Sequence, residues 1–108
     1  MKKSIHIIIP EHKRRILKFY SVVKGKDISE LFRDYVAEMD INNCSFDKNK
    51  VISEFSDSGH RLHIRVEAEY LDKMYSMTGK NKIIISRQKK IGPSMIRGFL
   101  FLRYLNLI

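Results

Sequence analysis

One short segment occurs twice in this chain, and its recurrence constrains the fold more than any other feature. Ser4-Ile5-His6-Ile7-Ile8-Ile9-Pro10 returns as Arg61-Leu62-His63-Ile64-Arg65-Val66. Ile5 matches Leu62, His6 matches His63, Ile7 matches Ile64, Ile8 matches Arg65 and Ile9 matches Val66. Side chains along a strand point alternately to its two faces. One face of the first copy is therefore Ile5, Ile7 and Ile9, and that of the second is Leu62, Ile64 and Val66. The other faces carry Ser4, His6 and Ile8, and Arg61, His63 and Arg65. The expectation is two strands of one ribbon, with an apolar side for a core and a polar, basic side for a partner.

The segments after each strand repeat as well. Pro10 ends the first strand and suits the first turn of a helix, where its missing N–H is no loss. Ile16, Leu17, Phe19, Tyr20 and Val23 follow at helical spacing, and Gly25 supplies a stop, so a helix is expected over residues 11–24. Asp27 is a good N-cap with Glu30 three residues on. Leu31, Phe32, Tyr35, Val36 and Met39 then give a buried helical face over residues 28–40. After the second strand, Tyr70, Leu71, Met74 and Met77 mark a helix over residues 67–78, stopped by Gly79. Gly92-Pro93-Ser94 opens a last helix, whose Ile96-Arg97-Gly98-Phe99-Leu100 lines up with Phe32-Arg33-Asp34-Tyr35-Val36.

The chain thus divides into a first unit at residues 1–41, a linker at 42–60 and a second unit at 61–108. Within the linker, Val51, Ile52 and Phe55 could pack a short helical turn onto the core. The second unit contains an insertion at residues 80–91. With Ile83-Ile84-Ile85 between basic flanks, it could be a strand, a hairpin or an extension of the preceding helix. One strand and two helices cannot bury a core alone, whereas two such units can, by pairing strands antiparallel over four helices. The ribbon's apolar face would then rest on Leu17, Tyr20, Leu31, Tyr35, Met74, Met77, Ile96 and Phe99.

Charge points to the class of partner. The 108 residues carry a formal net charge of +9. Residues 1–26 contribute +7, residues 27–60 contribute −5 and residues 61–108 contribute +7. Two basic blocks around an acidic middle suit a polyanion. The single cysteine, Cys44, allows no intrachain disulfide and fits a reducing, cytoplasmic compartment. The apolar run after Lys2 and Lys3 is too short for a signal peptide, and residues 95–108 are too few for a membrane span. No nucleophile–base pair, metal-ligand spacing or glycine-rich phosphate loop stands out, so neither an enzyme nor a cofactor is expected.

Strand, Pro-Glu-opened helix, Gly turn and Ser29-Glu30-Leu31-Phe32-Arg33 together resemble the ribbon-helix-helix (MetJ/Arc-like) superfamily of bacterial, plasmid and phage DNA-binding proteins. Residues 4–40 carry the pattern and residues 61–103 repeat it with departures. Glu67 replaces the helix-opening Pro, and Pro93-Ser94-Met95 replaces the Ser-Glu-aliphatic motif. Two copies in one chain are similar to tandem conjugation accessory proteins of the TraY type. The resemblance implies an α+β fold: a tandem ribbon-helix-helix, with a two-stranded antiparallel ribbon on a four-helix core, formed within one chain. It implies double-stranded DNA as the partner, read in the major groove by Ser4, His6 and Ile8 and by Arg61, His63 and Arg65. The halves are unequal, so an asymmetric site is expected. Phosphates would be clamped at the N-termini of the second helices, by Lys26, Asp27 and Ile28 and by Gly92 and Ser94.

The resulting expectation is sequence-specific DNA binding, as a transcriptional repressor or a relaxosome accessory protein, nucleoid-associated in a prokaryotic, plasmid or phage context. An alternative is an antitoxin, with an N-terminal DNA-binding unit dimerising between chains and a C-terminal part that masks a toxin. An RNA or membrane-surface binder is a further alternative from the charge alone. The helix over residues 94–108 is apolar nearly all round, so self-association or a protein partner is expected there.

Overall fold

The computed structural model describes residues 2–39, 45–55, 59–70, 72–73, 84–85 and 90–108. The chain is mixed α+β. Strand β1 spans Lys2–Pro10, a single 3-10 turn spans Glu11–Lys13, and helices α1 and α2 span Arg14–Lys24 and Ile28–Glu38. A short helix α3, Lys48–Glu54, leads to strand β2, Gly59–Glu67. Two-residue strands β3, Ile84–Ile85, and β4, Lys90–Ile91, precede the last helix α4, Pro93–Tyr104. Residues 68–70 and 72–73 are helical, within the segment expected to form a helix. Leu71, Met74 and Met77, expected on its inner face, lie outside the described residues.

β1 and β2 pair antiparallel along their whole length, with Ile5 opposite Ile64, His6 opposite His63 and Ile7 opposite Leu62. Ile5, Ile7, Ile9, Ile64 and Val66 are buried, and Leu62 is half-buried against the same core. The alternation read from the sequence is thus the alternation observed, because a pleated ribbon with one side on a core allows only one phase of its period-two pattern. Of the segment read as an insertion, the described residues form a strand pair, with Ile84 opposite Ile91 and Ile85 opposite Lys90. Ile91 is fully buried.

Local signals set the helix ends. Gly25 adopts φ 66°, and the N–H groups of Gly25 and Lys26 donate to Val22 O and Ser21 O at 3.1 Å each, closing α1. Asp27 caps α2 by accepting from Glu30 N at 2.8 Å. At the end of α4, Asn106 takes φ 60° and Leu107 N reaches back to Leu102 O at 2.9 Å. The helices begin or end a little inside the expected limits: residues 11–13 are 3-10, and α2 stops at Glu38.

α4 lies at the centre of the molecule. Residues 96–102 are all buried, Arg97 among them, as the helix packs against β1, α2 and α3. This corrects the premise that four helices would leave an apolar side of residues 94–108 uncovered. α3, inside the segment read as linker, supplies the missing cover through Val51, and Phe55 at its end is buried with it. On the α2 side, Phe32 meets Phe101 edge-on at 5.1 Å, and Tyr35 lies 5.1 Å from Tyr104. The Tyr104 hydroxyl donates to the Glu38 carboxylate, and this bond, with burial behind it, pushes the phenol pKa up to about 12. Among the described residues, most of the exposed large apolar side chains are on α1 instead: only its Leu17 is buried, while Ile16, Phe19, Val22 and Val23 remain exposed.

Gly98 sets how closely α4 approaches the ribbon. A Cβ there would stand 1.8 Å from Ile8 O and 2.7 Å from Ile8 C. Backbone atoms cannot swing aside as side chains do, so Gly98→Ala must push α4 off β1. Its expected cost is about 1–3 kcal/mol or more, as for overpacked cores. Gly92→Ser, at an open helix cap with nothing within 4 Å, should cost nothing measurable. Denaturant midpoints of the two variants check the contrast.

Candidate nucleic-acid interface

The outward side of the ribbon is built by the pairing register. Ser4 faces Arg65, His6 faces His63 and Ile8 faces Arg61, so three rows of side chains run along one surface. Ser4, Arg61, His63 and Arg65 are exposed, and His6 and Ile8 are half-buried. All six residues expected to read bases therefore come together on one face. His6 and His63 hold a special position. Ile5 matches Leu62 in the sequence repeat but pairs with Ile64; Ile7 matches Ile64 but pairs with Leu62. Only His6 and His63 both match in sequence and stand opposite in space. Their rings lie 4.1 Å apart at 56°. Arg61 reaches across from the next row, its Nη1 donating to His6 Nδ1 at 3.2 Å.

The ribbon is held from below by two arginines that occupy the same place in the sequence repeat. Arg97 of α4 donates from Nη1 to His6 O at 3.2 Å, and Arg33 of α2 donates from Nη1 to Arg65 O at 3.4 Å. Each arginine thus anchors the strand of the other unit. Residues two apart on a strand turn their carbonyls to the same edge. The carbonyls of His6 and Ile8 both meet α4, so α4 lies along the edge of β1 that β2 leaves open. Arg33 does the same for the outer edge of β2. The sequence match had marked these arginines as repeated, but not as anchors. Their signal was an arginine that recurs at the same place in two helical motifs.

The expected phosphate clamps differ from each other. At α2, the Asp27 carboxylate already occupies the helix end by accepting from Glu30 N. Lys26 is paired with Asp34 at 2.7 Å, and that hydrogen bond is the main cause raising the Lys26 pKa. Ile28 is half-buried. A cleft beside this helix end is floored by Ile9, Ile28 and Leu62 and flanked by Arg14, Lys18 and Asp27 among others. Two cations of α1, Arg14 and Lys18, are therefore part of this end of the molecule. At α4, Gly92 is the N-cap and no side chain caps the helix; Gly92 O accepts from Met95 N and Ile96 N. Ser94 is half-buried there.

Among the described residues, no group of three or more His, Cys, Asp and Glu comes together to hold a metal ion. No described helix is long and apolar enough to cross a membrane.

The environment of His6 makes the ribbon sensitive to acid. Desolvation lowers its pKa below the ordinary 6.5, and the charges of His63, Arg61 and Arg97 lower it further. The unfolded chain therefore takes up this proton more readily than the folded one. The associated stability is fully present above about pH 6.5 and is lost as pH falls through the depressed value. Thermal melts on progressive acidification from neutral pH should show a smaller loss of Tm for His6→Gln than for the unsubstituted chain; equal losses would mean that His6 carries none of it.

Comparison with protein-family models, with curated proteins and with solved structures found no match.

Proposed function

We propose that the chain is a tandem ribbon-helix-helix protein that binds double-stranded DNA sequence-specifically, inserting the β1–β2 ribbon into the major groove. The observation that carries this reading is the single face on which Arg61, His63, Arg65 and Ser4 stand exposed beside His6 and Ile8. A two-stranded ribbon fits the major groove of B-DNA, and arginine is suited to bidentate contact with guanine O6 and N7. The crossed arginine anchors and the histidine pair at the centre of the register support two related units around a local two-fold. The net charge of +9 supplies the long-range attraction to phosphate. Repression of transcription, or accessory binding at a conjugation origin, are the activities that suit such a module.

The antitoxin reading requires residues 1–40 to form their ribbon with a second chain. Here β1 finds its partner strand, β2, within the same chain, and α4 buries itself against β1. The intramolecular pairing favours the tandem reading.

Titrating the intact protein against duplex DNA at several salt concentrations tests the proposal. The expected result is tight binding whose logarithm falls linearly with the logarithm of salt, one chain per ribbon, and a selected sequence. His63→Ala with Arg65→Ala should weaken the preferred duplex relative to random DNA, by about 1–3 kcal/mol for the arginine contact. Residues 1–58 alone should neither fold nor bind. If that fragment binds as well as the whole chain, the ribbon forms between chains and the antitoxin reading takes over.

A further inference from the structure

Resting on the DNA-binding reading, we infer that the target duplex carries two guanines on the same DNA strand, about three base pairs apart, one contacted by Arg61 and the other by Arg65. His6 acts as the positioning residue for Arg61.

The register carries this inference. Both arginines belong to β2, and the positions opposite them on β1 are Ile8 and Ser4. Neither of these offers a charged, fork-shaped donor. Rotation about the histidine pair would carry the place of Arg65 onto Ile8 and that of Arg61 onto Ser4. The strong readers therefore break the two-fold that the backbone follows. A ribbon in the major groove lays one of its strands beside each DNA backbone. Guanine presents O6 and N7 in that groove, with N7 toward its own backbone. Two arginines on one strand of the ribbon thus reach purines on one strand of the DNA. Four residues of extended chain separate them, about 13 Å at strand rise. Base pairs stack about 3.4 Å apart along the helix axis, and a ribbon that follows the groove runs oblique to that axis, which sets the spacing at about three.

The two arginines are not interchangeable. Arg61 donates across the ribbon to His6 Nδ1 at 3.2 Å. That contact turns its guanidinium toward the middle of the face and leaves its remaining N–H groups for a base. It requires the neutral ring, which desolvation and the charges of His63, Arg61 and Arg97 favour, with its proton on Nε2. Arg65 has its backbone carbonyl held by Arg33 instead. Its exposed side chain extends from the opposite end of the ribbon. On β1, Ile8 fits a thymine methyl in the row of Arg61, and Ser4 accepts several bases in the row of Arg65.

The test is selection of duplexes from a random pool by the full-length protein, followed by single-base substitutions in the selected site. The expected consensus is non-palindromic, with two guanines on one strand at the stated spacing. Arg61→Lys and Arg65→Lys keep the charge and the fold but lose the fork. Each should lower discrimination at one guanine only, on the order of 10-fold. His6→Ala should reduce preference at the Arg61 guanine and not at the other, and His6→Gln, which retains an acceptor, should restore part of it. A palindromic consensus, guanines on opposite strands, or both lysine variants acting on the same base pair would overturn the inference while leaving DNA binding standing. Absence of any salt-dependent duplex binding would overturn the DNA-binding reading, and this inference with it.

Discussion

The pairing of β1 with β2 is the contact on which everything else rests. Neither strand has another partner among the described residues, and together they form the lid of the core. The register that places His6 opposite His63 also puts Ile5, Ile7, Ile9, Ile64 and Val66 beneath the ribbon and the arginines above it. A slip of one residue would exchange those faces on the slipped strand, exposing isoleucines and burying charge. The apolar core and the basic surface are therefore two consequences of one alignment.

An isolated two-stranded ribbon has two open edges and little stability of its own. Here the edges are closed by the helices that lie beneath. α4 runs so close to β1 that only glycine fits at residue 98, and Arg97 beside it meets the carbonyl of His6. Arg33 makes the corresponding contact on β2. These bonds satisfy carbonyls that β pairing leaves unpaired and add positive charge beside the basic face of the ribbon. Structural and electrostatic roles thus coincide in the same two side chains. The arrangement also explains why the most apolar helix belongs in the middle. With β1 along one side, α2 along another and α3 closing a third, α4 has no wide face left for water.

Much of this was legible in the sequence by itself. The repeated apolar-His-Ile rhythm determined two strands, their buried faces and the six outward residues, because period-two alternation admits one assignment when one side is apolar. Pro10, Gly25, Asp27 and the Gly92-Pro93 pair determined where helices start and stop, through backbone geometry that is local to those residues. What only the tertiary structure decided involves contacts between distant segments. Spacing marks Ile16, Phe19 and Val23 as helical, but burial depends on what lies opposite, and within the described residues nothing covers them. Conversely, Val51 and Phe55 were legible as a helical turn able to pack on the core, but that they lie where they help enclose α4 was not. The anchoring role of Arg33 and Arg97, the hold of His6 on Arg61 and the pairing of Lys26 with Asp34 likewise arise from proximity in space. A sequence states which side chains a strand or helix presents to each side; which partners they meet is settled only when the elements pack.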